Sequence, residues 1–135
     1  MNKWGCVALG LLICGGAAAD DISESDEIVC APSELHICVE NDSCYAASTS
    51  DLDVPEFVII DVDNKTISTT KASNDPRTTT FANVRRESGL IYLQGIENER
   101  AFSFVIDEST GRMSVALSSD GISVSAFGAC TDVDL

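Results

Sequence analysis

Apolar residues recur at every second position through the second half of the chain. Phe102, Phe104 and Ile106 alternate with Ser103 and Val105, and Met113, Val115 and Leu117 alternate with Ser114 and Ala116. Period two places each set on one face of a strand. The expected inward face is therefore Phe102, Phe104 and Ile106, joined by Met113, Val115 and Leu117 and by Tyr92 or its neighbours Ile91 and Leu93. Ile122, Val124 and Ala126 continue one face of a last strand that ends at Cys130. Further strands are expected over 57–62, 65–70, 78–84 and 89–95, with a first strand around Cys30. The turns between them have recognisable chemistry. Asp63-Asn64 and Asp120-Gly121 suit two-residue hairpins, Glu97-Asn98 turns the chain once more, and 107–111 ends in glycine as a bulged type I hairpin does. The stretch 71–77, with Asn74-Asp75-Pro76, reads as a loop.

No sustained 3.6-residue period occurs beyond the first nineteen residues. Serine and threonine fill many alternate positions, as on a solvated outer face. The expected fold is all-β: a small antiparallel meander of about 7–8 strands, a closed or partly open barrel, linked by disulfides.

Residues 1–19 differ in kind. Lys3 precedes the short apolar run 7–14, then small residues lead to Ala17-Ala18-Ala19 before Asp20. This is the pattern of a signal peptide cleaved between Ala19 and Asp20. The run falls short of the roughly 20 apolar residues that span a bilayer. Leu11-Leu12-Ile13-Cys14-Gly15 resembles a lipoprotein box, which would anchor the chain through Cys14, but bulky Ile13 stands where a small residue is required. The expectation is a periplasmic or secreted protein of 116 residues, with an acidic, disordered leader over 20–27 and a single β domain over 28–135. The leader DDISESDE carries one large apolar residue, too little to offset the entropy of ordering.

Four cysteines follow the signal: Cys30, Cys38, Cys44 and Cys130. An even number in an exported chain reads as two disulfides, with three possible pairings. Cys38–Cys44 with Cys30–Cys130 is the preferred one: five residues can turn between the first pair, and the second joins the two ends of the domain. The spacings do not suit zinc, and no Cys-x-x-Cys redox motif occurs.

Charge narrows the partners. The chain has a net charge of −14, which becomes −15 when Lys3 leaves with the signal. Thirteen acidic residues and no Lys or Arg lie between Asp20 and Asn64, and the seven remaining cations lie between Lys65 and Arg112. Nucleic acid and anionic membranes are disfavoured, since phosphate binding needs clustered cations. A cationic protein would be steered towards the chain, and a small ligand is the other expected partner. No membrane span is expected, in helices or in strands.

The spacing Cys30-x7-Cys38-x5-Cys44, the run Phe-Ser-Phe-Val-Ile-Asp-Glu-Ser-Thr-Gly-Arg over 102–112 and the closing Phe127-Gly128-Ala129-Cys130 resemble small exported proteins of Gram-negative bacteria. That resemblance implies an envelope β module and carries over no catalytic residue. The architecture is also similar to that of periplasmic lysozyme inhibitors, small acidic β-barrels with disulfides. Their Ser-Gly-x-x-Tyr recognition loop is matched in letters by Ser88-Gly89-Leu90-Ile91-Tyr92, but 90–93 reads here as buried strand.

Candidate chemistry is sparse. His36 is the single histidine, and its neighbours Glu34 and Cys38 form no catalytic set. No Gly-x-Ser-x-Gly elbow and no glycine-rich phosphate loop is present. Asp61, Asp63 and Asn64 have hard-cation chemistry, yet Lys65 and Thr66 break the EF-hand pattern, and a turn accounts for them. Arg85-Arg86 is a basic pair that can pair locally with Glu87. The expectation is no enzyme, no cofactor and no metal: an exported binding module, or alternatively an inhibitor of a cationic hydrolase such as lysozyme.

Overall fold

The structure is a computed structural model, and residues 21–133 are described. The signal segment, with its Ala19/Asp20 cleavage site and Cys14, lies outside the described residues. Ten strands form one antiparallel sheet: β1 Glu27–Val39, β2 Cys44–Ala47, β3 Val58–Asp61, β4 Thr66–Thr69, β5 Thr78–Thr80, β6 Asn83–Glu87, β7 Leu90–Glu97, β8 Arg100–Asp107, β9 Arg112–Ser119 and β10 Ile122–Asp132. Among the described residues the only helical turn is the 3-10 segment Thr49–Leu52. The order is β5-β4-β3-β1-β10-β9-β8-β7-β6, with β2 paired to β1. The sheet curls into a half-barrel, and its two end strands, β5 and β6, are consecutive in the chain.

Two departures raise the strand number above the expected 7–8. The stretch expected as one strand over 78–84 divides into β5 and β6. Phe81 turns its ring into the core, its N–H donating to Lys65 O, while the Ala82 N–H donates to Gln94 O on the opposite side. One segment thus passes from β4 to β7. The second addition is β2, placed by the disulfide Cys38–Cys44, whose residues stand opposite each other in the β1–β2 ladder. Cys30–Cys130 ties β1 to β10 in the same way, with Cα atoms 4.0 Å apart.

The alternation organises the core. Ile91, Leu93, Phe102, Phe104, Ile106 and Met113 are buried, with Val115 and Leu117 half-buried against them. Of the alternatives on β7, Ile91 and Leu93 point inward and Tyr92 outward. Ile122 shares the face of Val124 and Ala126 in an unbroken register, but it adjoins the β9–β10 turn and is exposed. The 63–64 turn also differs. The ladder closes at Asp61 and Thr66, so four residues turn, not two. Gly95 faces Phe102 across β7–β8, and a Cβ there would lie 2.6 Å from the ring, so the missing side chain is what admits the Phe102 ring.

Part of the segment expected as a disordered leader, residues 21–26, lies against the domain. Ile22 is fully buried in the core and its N–H donates to Glu108 O. By composition one large apolar residue is too few to order the segment. One suffices here because the sheet end offers a cavity-sized place for it, among Ile28, Ile60 and Ile106. Polar groups then fix the segment. Arg86 Nη1 donates to Ser23 O at 2.9 Å and to Glu108 Oε1 at 2.8 Å, Arg86 Nη2 donates to Ser25 O, and Ser25 Oγ donates to Asp132 Oδ2.

Candidate functional site

The curled sheet is filled at one end and hollow at the other. Towards the end bearing 38–44, 97–100 and 119–122, the inward residues of β1, β8, β9 and β10 border a pocket of about 130 Å³. Leu35, Phe104, Val115, Leu117, Val124 and Ala126 supply its walls. They face inward by the same alternation that builds the core, but here no side chain fills the space between them.

The segment 48–57 crosses this pocket as a strap. Its Leu52, Val54 and Pro55 contribute to the lining. The strap is shaped locally: the Asp51 carboxylate accepts the Ser48 N–H at 2.8 Å and the Ser48 hydroxyl at 3.0 Å, and Val54 N–H donates to Thr49 O. Those bonds from Ser48 hold the Asp51 carboxyl below its usual range. Two arginines then fasten the strap to the sheet. Arg100 Nη1 donates to Leu52 O at 2.8 Å and Arg77 Nη2 donates to Asp53 O at 3.2 Å.

The polar groups at the pocket are few, and most are engaged. Arg77 Nε lies 3.2 Å from the exposed Asp75 carboxylate, without hydrogen-bond geometry. Thr69 Oγ1 accepts the Arg77 N–H at 3.0 Å. Ser68 and Glu97 complete the polar lining.

The candidates read from the sequence lie elsewhere and do not converge. His36 sits on β1, half-exposed, its Nε2 2.8 Å from Glu34 Oε1. The Asp61 carboxylate accepts the Asn64 N–H and side-chain amide, both at 2.8 Å, which lowers its pKa and commits it to the 62–65 turn. Among the described residues no group of three or more metal-ligating side chains gathers. Of the basic pair, Arg85 stands 3.7 Å from Glu87 on the surface, whereas Arg86 holds the N-terminal segment. Ser88-Gly89 forms the exposed β6–β7 turn, and Tyr92 is 38% exposed on the outer face of β7. Sequence reasoning missed the pocket and the strap. The available signal was Leu52-x-Val54-Pro55, an apolar group inside an otherwise acidic stretch without strand alternation.

No family model, curated protein or solved structure matches the chain. Among the described residues no helix is long and apolar enough to cross a membrane.

Proposed function

We propose that the chain is a non-catalytic exported β module that binds a small molecule in the pocket beneath the strap. The observation that carries this reading is a concave, largely apolar site with a small number of polar groups at its border, the general form of small-molecule sites. Protein interiors are ordinarily packed to near-crystalline density. The walls of the partly open pocket of about 130 Å³ lack packing partners on that side. A bound molecule supplies them. The reading assigns no catalytic residue, because the titratable groups bordering the pocket are Arg77 and Glu97, and Arg77 is held by the strap and the loop. Export and the resemblance to small envelope proteins of Gram-negative bacteria belong to the same proposal, supported by the two disulfides.

Native mass spectrometry of the exported protein tests it. The expected result is a small-molecule adduct that is released on denaturation and absent from an Ala126→Leu variant, whose larger side chain occupies the pocket. Adduct-free spectra for both proteins overturn the reading.

A second reading, inhibition of a cationic hydrolase such as lysozyme, is favoured by the acidic surface and by the exposure of Ser88, Gly89 and Tyr92. A specific inhibitor has short-range contacts and retains inhibition at about 0.5 M salt, where simple charge attraction is screened. Lysozyme activity measured across a salt series decides this reading; loss of inhibition with modest salt removes it.

A further inference from the structure

We infer that the pocket selects compact, uncharged, apolar molecules about the size of a single aromatic ring. This rests on the pocket reading above and names its ligand class. Three observations carry it.

The first is size. The volume of about 130 Å³ is well below the roughly 300–1,000 Å³ of sites that hold drug-sized ligands. It is close to the roughly 150 Å³ of engineered apolar cavities that stay dry and bind benzene. A long acyl chain exceeds this space while Leu52, Val54 and Pro55 of the strap lie across it.

The second is the lining. The walls contributed by Leu35, Val115, Leu117, Val124 and Ala126 offer no hydrogen-bonding side-chain group. A charge or an unpaired polar group moved against them loses its hydration without compensation. Apolar groups alone gain by the transfer.

The third is electrostatic. The one cation lining the pocket, Arg77, has its charge balanced outside it: Nη2 donates to Asp53 O, and Nε, which has no hydrogen-bond partner, lies 3.2 Å from the Asp75 carboxylate. Thr69 Oγ1 is also taken, by the Arg77 N–H. Glu97 remains at the border and repels anions, as does a chain of net charge −14. A cation is attracted to the border but is excluded from the aliphatic interior by its own desolvation. Neutral apolar molecules meet neither obstacle.

Three probes built on one phenyl ring separate the terms: toluene, benzoate and benzylamine, each titrated into the isotopically labelled protein and followed by methyl NMR. The expected result is saturable movement of the Leu35, Val115, Leu117 and Val124 methyls with toluene, at an affinity about tenfold or more above either charged probe. Ala126→Leu and, separately, Leu117→Phe should each weaken toluene binding by about tenfold or more while the remaining methyl spectrum stays native. Two substitutions on different strands guard against one of them failing to fold. Benzoate or benzylamine binding as tightly as toluene, and blocked by the same substitutions, overturns the ligand class and leaves the pocket reading standing. No movement of these methyls with any probe, or movement that survives both substitutions, overturns the two together.

Discussion

At one end of the curled sheet Ile22, Ile28, Ile60, Ile91 and Ile106 have no exposed surface at all, and at the other Leu117 and Val115 are half-buried around a pocket. Both ends are crossed by a segment outside the regular strands. At the filled end the segment 21–26 inserts a side chain, Ile22, and is fixed by a network of Arg86, Glu108, Ser25 and Asp132. At the hollow end the strap 48–57 lays apolar residues across an opening and is fixed by single bonds from Arg77 and Arg100. The same strands run through both ends, with the same alternation. The difference lies in what the connecting segments contribute. Packing is concentrated where the interior is filled, and the proposed binding site falls at the loosely fastened end, in keeping with the general placement of binding elements in less stable regions.

The disulfides give the largest expected contrast. Cys30–Cys130, at the filled end, closes a separation of 100 residues; Cys38–Cys44, at the hollow end, closes one of 6. In the chain-entropy model the long bridge stabilises by about 4–5 kcal/mol and the short one by about 2. Replacing each pair by alanine and measuring urea unfolding should reproduce that order. Equal losses would mean that the two ends contribute alike and that loop entropy does not govern either bridge.

Core truncation sharpens the same comparison. Ile106→Ala, in the filled end, should cost about 3 kcal/mol through lost burial and a new cavity. Leu117→Ala borders existing space and starts half-buried, so about 1 kcal/mol is expected. Denaturation midpoints read both. A larger loss at Leu117 would place the tightly packed region at the wrong end.

How far the sequence speaks differs between the ends. The alternation of Phe102, Phe104, Ile106 and Met113 identifies the filled core, because burial on one face of a strand imposes period two and nothing else does so as simply. The glycine-closed turn at 107–111 is equally readable: Asp107 Oδ1 accepts the Ser109 and Thr110 N–H groups, and Gly111 has φ +69°. What escapes is the work of isolated residues. Ile22 stands alone among polar neighbours, and its burial depends on a gap formed by residues far along the chain. Arg86 reads as a partner for Glu87, its neighbour, while its true partners are Ser23, Ser25 and Glu108. The pocket is an absence of side chains between strands, and no local pattern encodes an absence. Tyr92 and Phe81 show the intermediate case, since which residue of an aromatic or apolar run turns inward depends on register with the neighbouring strand.

The arginines compare the two fastenings. Arg86→Ala removes charge-assisted bonds to Ser23 O, Ser25 O and Glu108, and should lower stability by about 2 kcal/mol, part of it through loosening of Ile22. Arg100→Ala removes one bond to the strap and should cost under about 1 kcal/mol. Hydrogen exchange distinguishes them further. Faster exchange is expected over 22–25 in the first variant and over 51–54 in the second, with the other segment unchanged. Opening of both segments in either variant would show the two ends to be one cooperative unit.

The smallest contrast is in the turns. At the filled end β6 and β7 join through Ser88-Gly89, with φ +53° and +77°; at the hollow end β7 and β8 join through Asn98-Glu99, with φ +48° and +62°. Positive φ at both central residues is the type I′ pattern, which matches strand twist and favours Asn-Gly. Asn98 already suits its position. Glu99 does not, because its Cβ crowds the following carbonyl in the left-handed region. Glu99→Gly should therefore raise stability by about 1 kcal/mol. Gly89→Ala should lower it by a similar amount, about 1 kcal/mol, and for a purely conformational reason, since a Cβ at Gly89 meets nothing within 4 Å. Thermal unfolding of the two single variants and their double tests this. The turns share strand β7 but lie at opposite ends of it, so the effects should add within about 0.5 kcal/mol. A stabilised Glu99→Gly protein with unchanged toluene affinity would show that strain in this turn is independent of the pocket beside it. Weaker toluene binding in that variant would instead mean that the strained turn helps to hold the hollow end open.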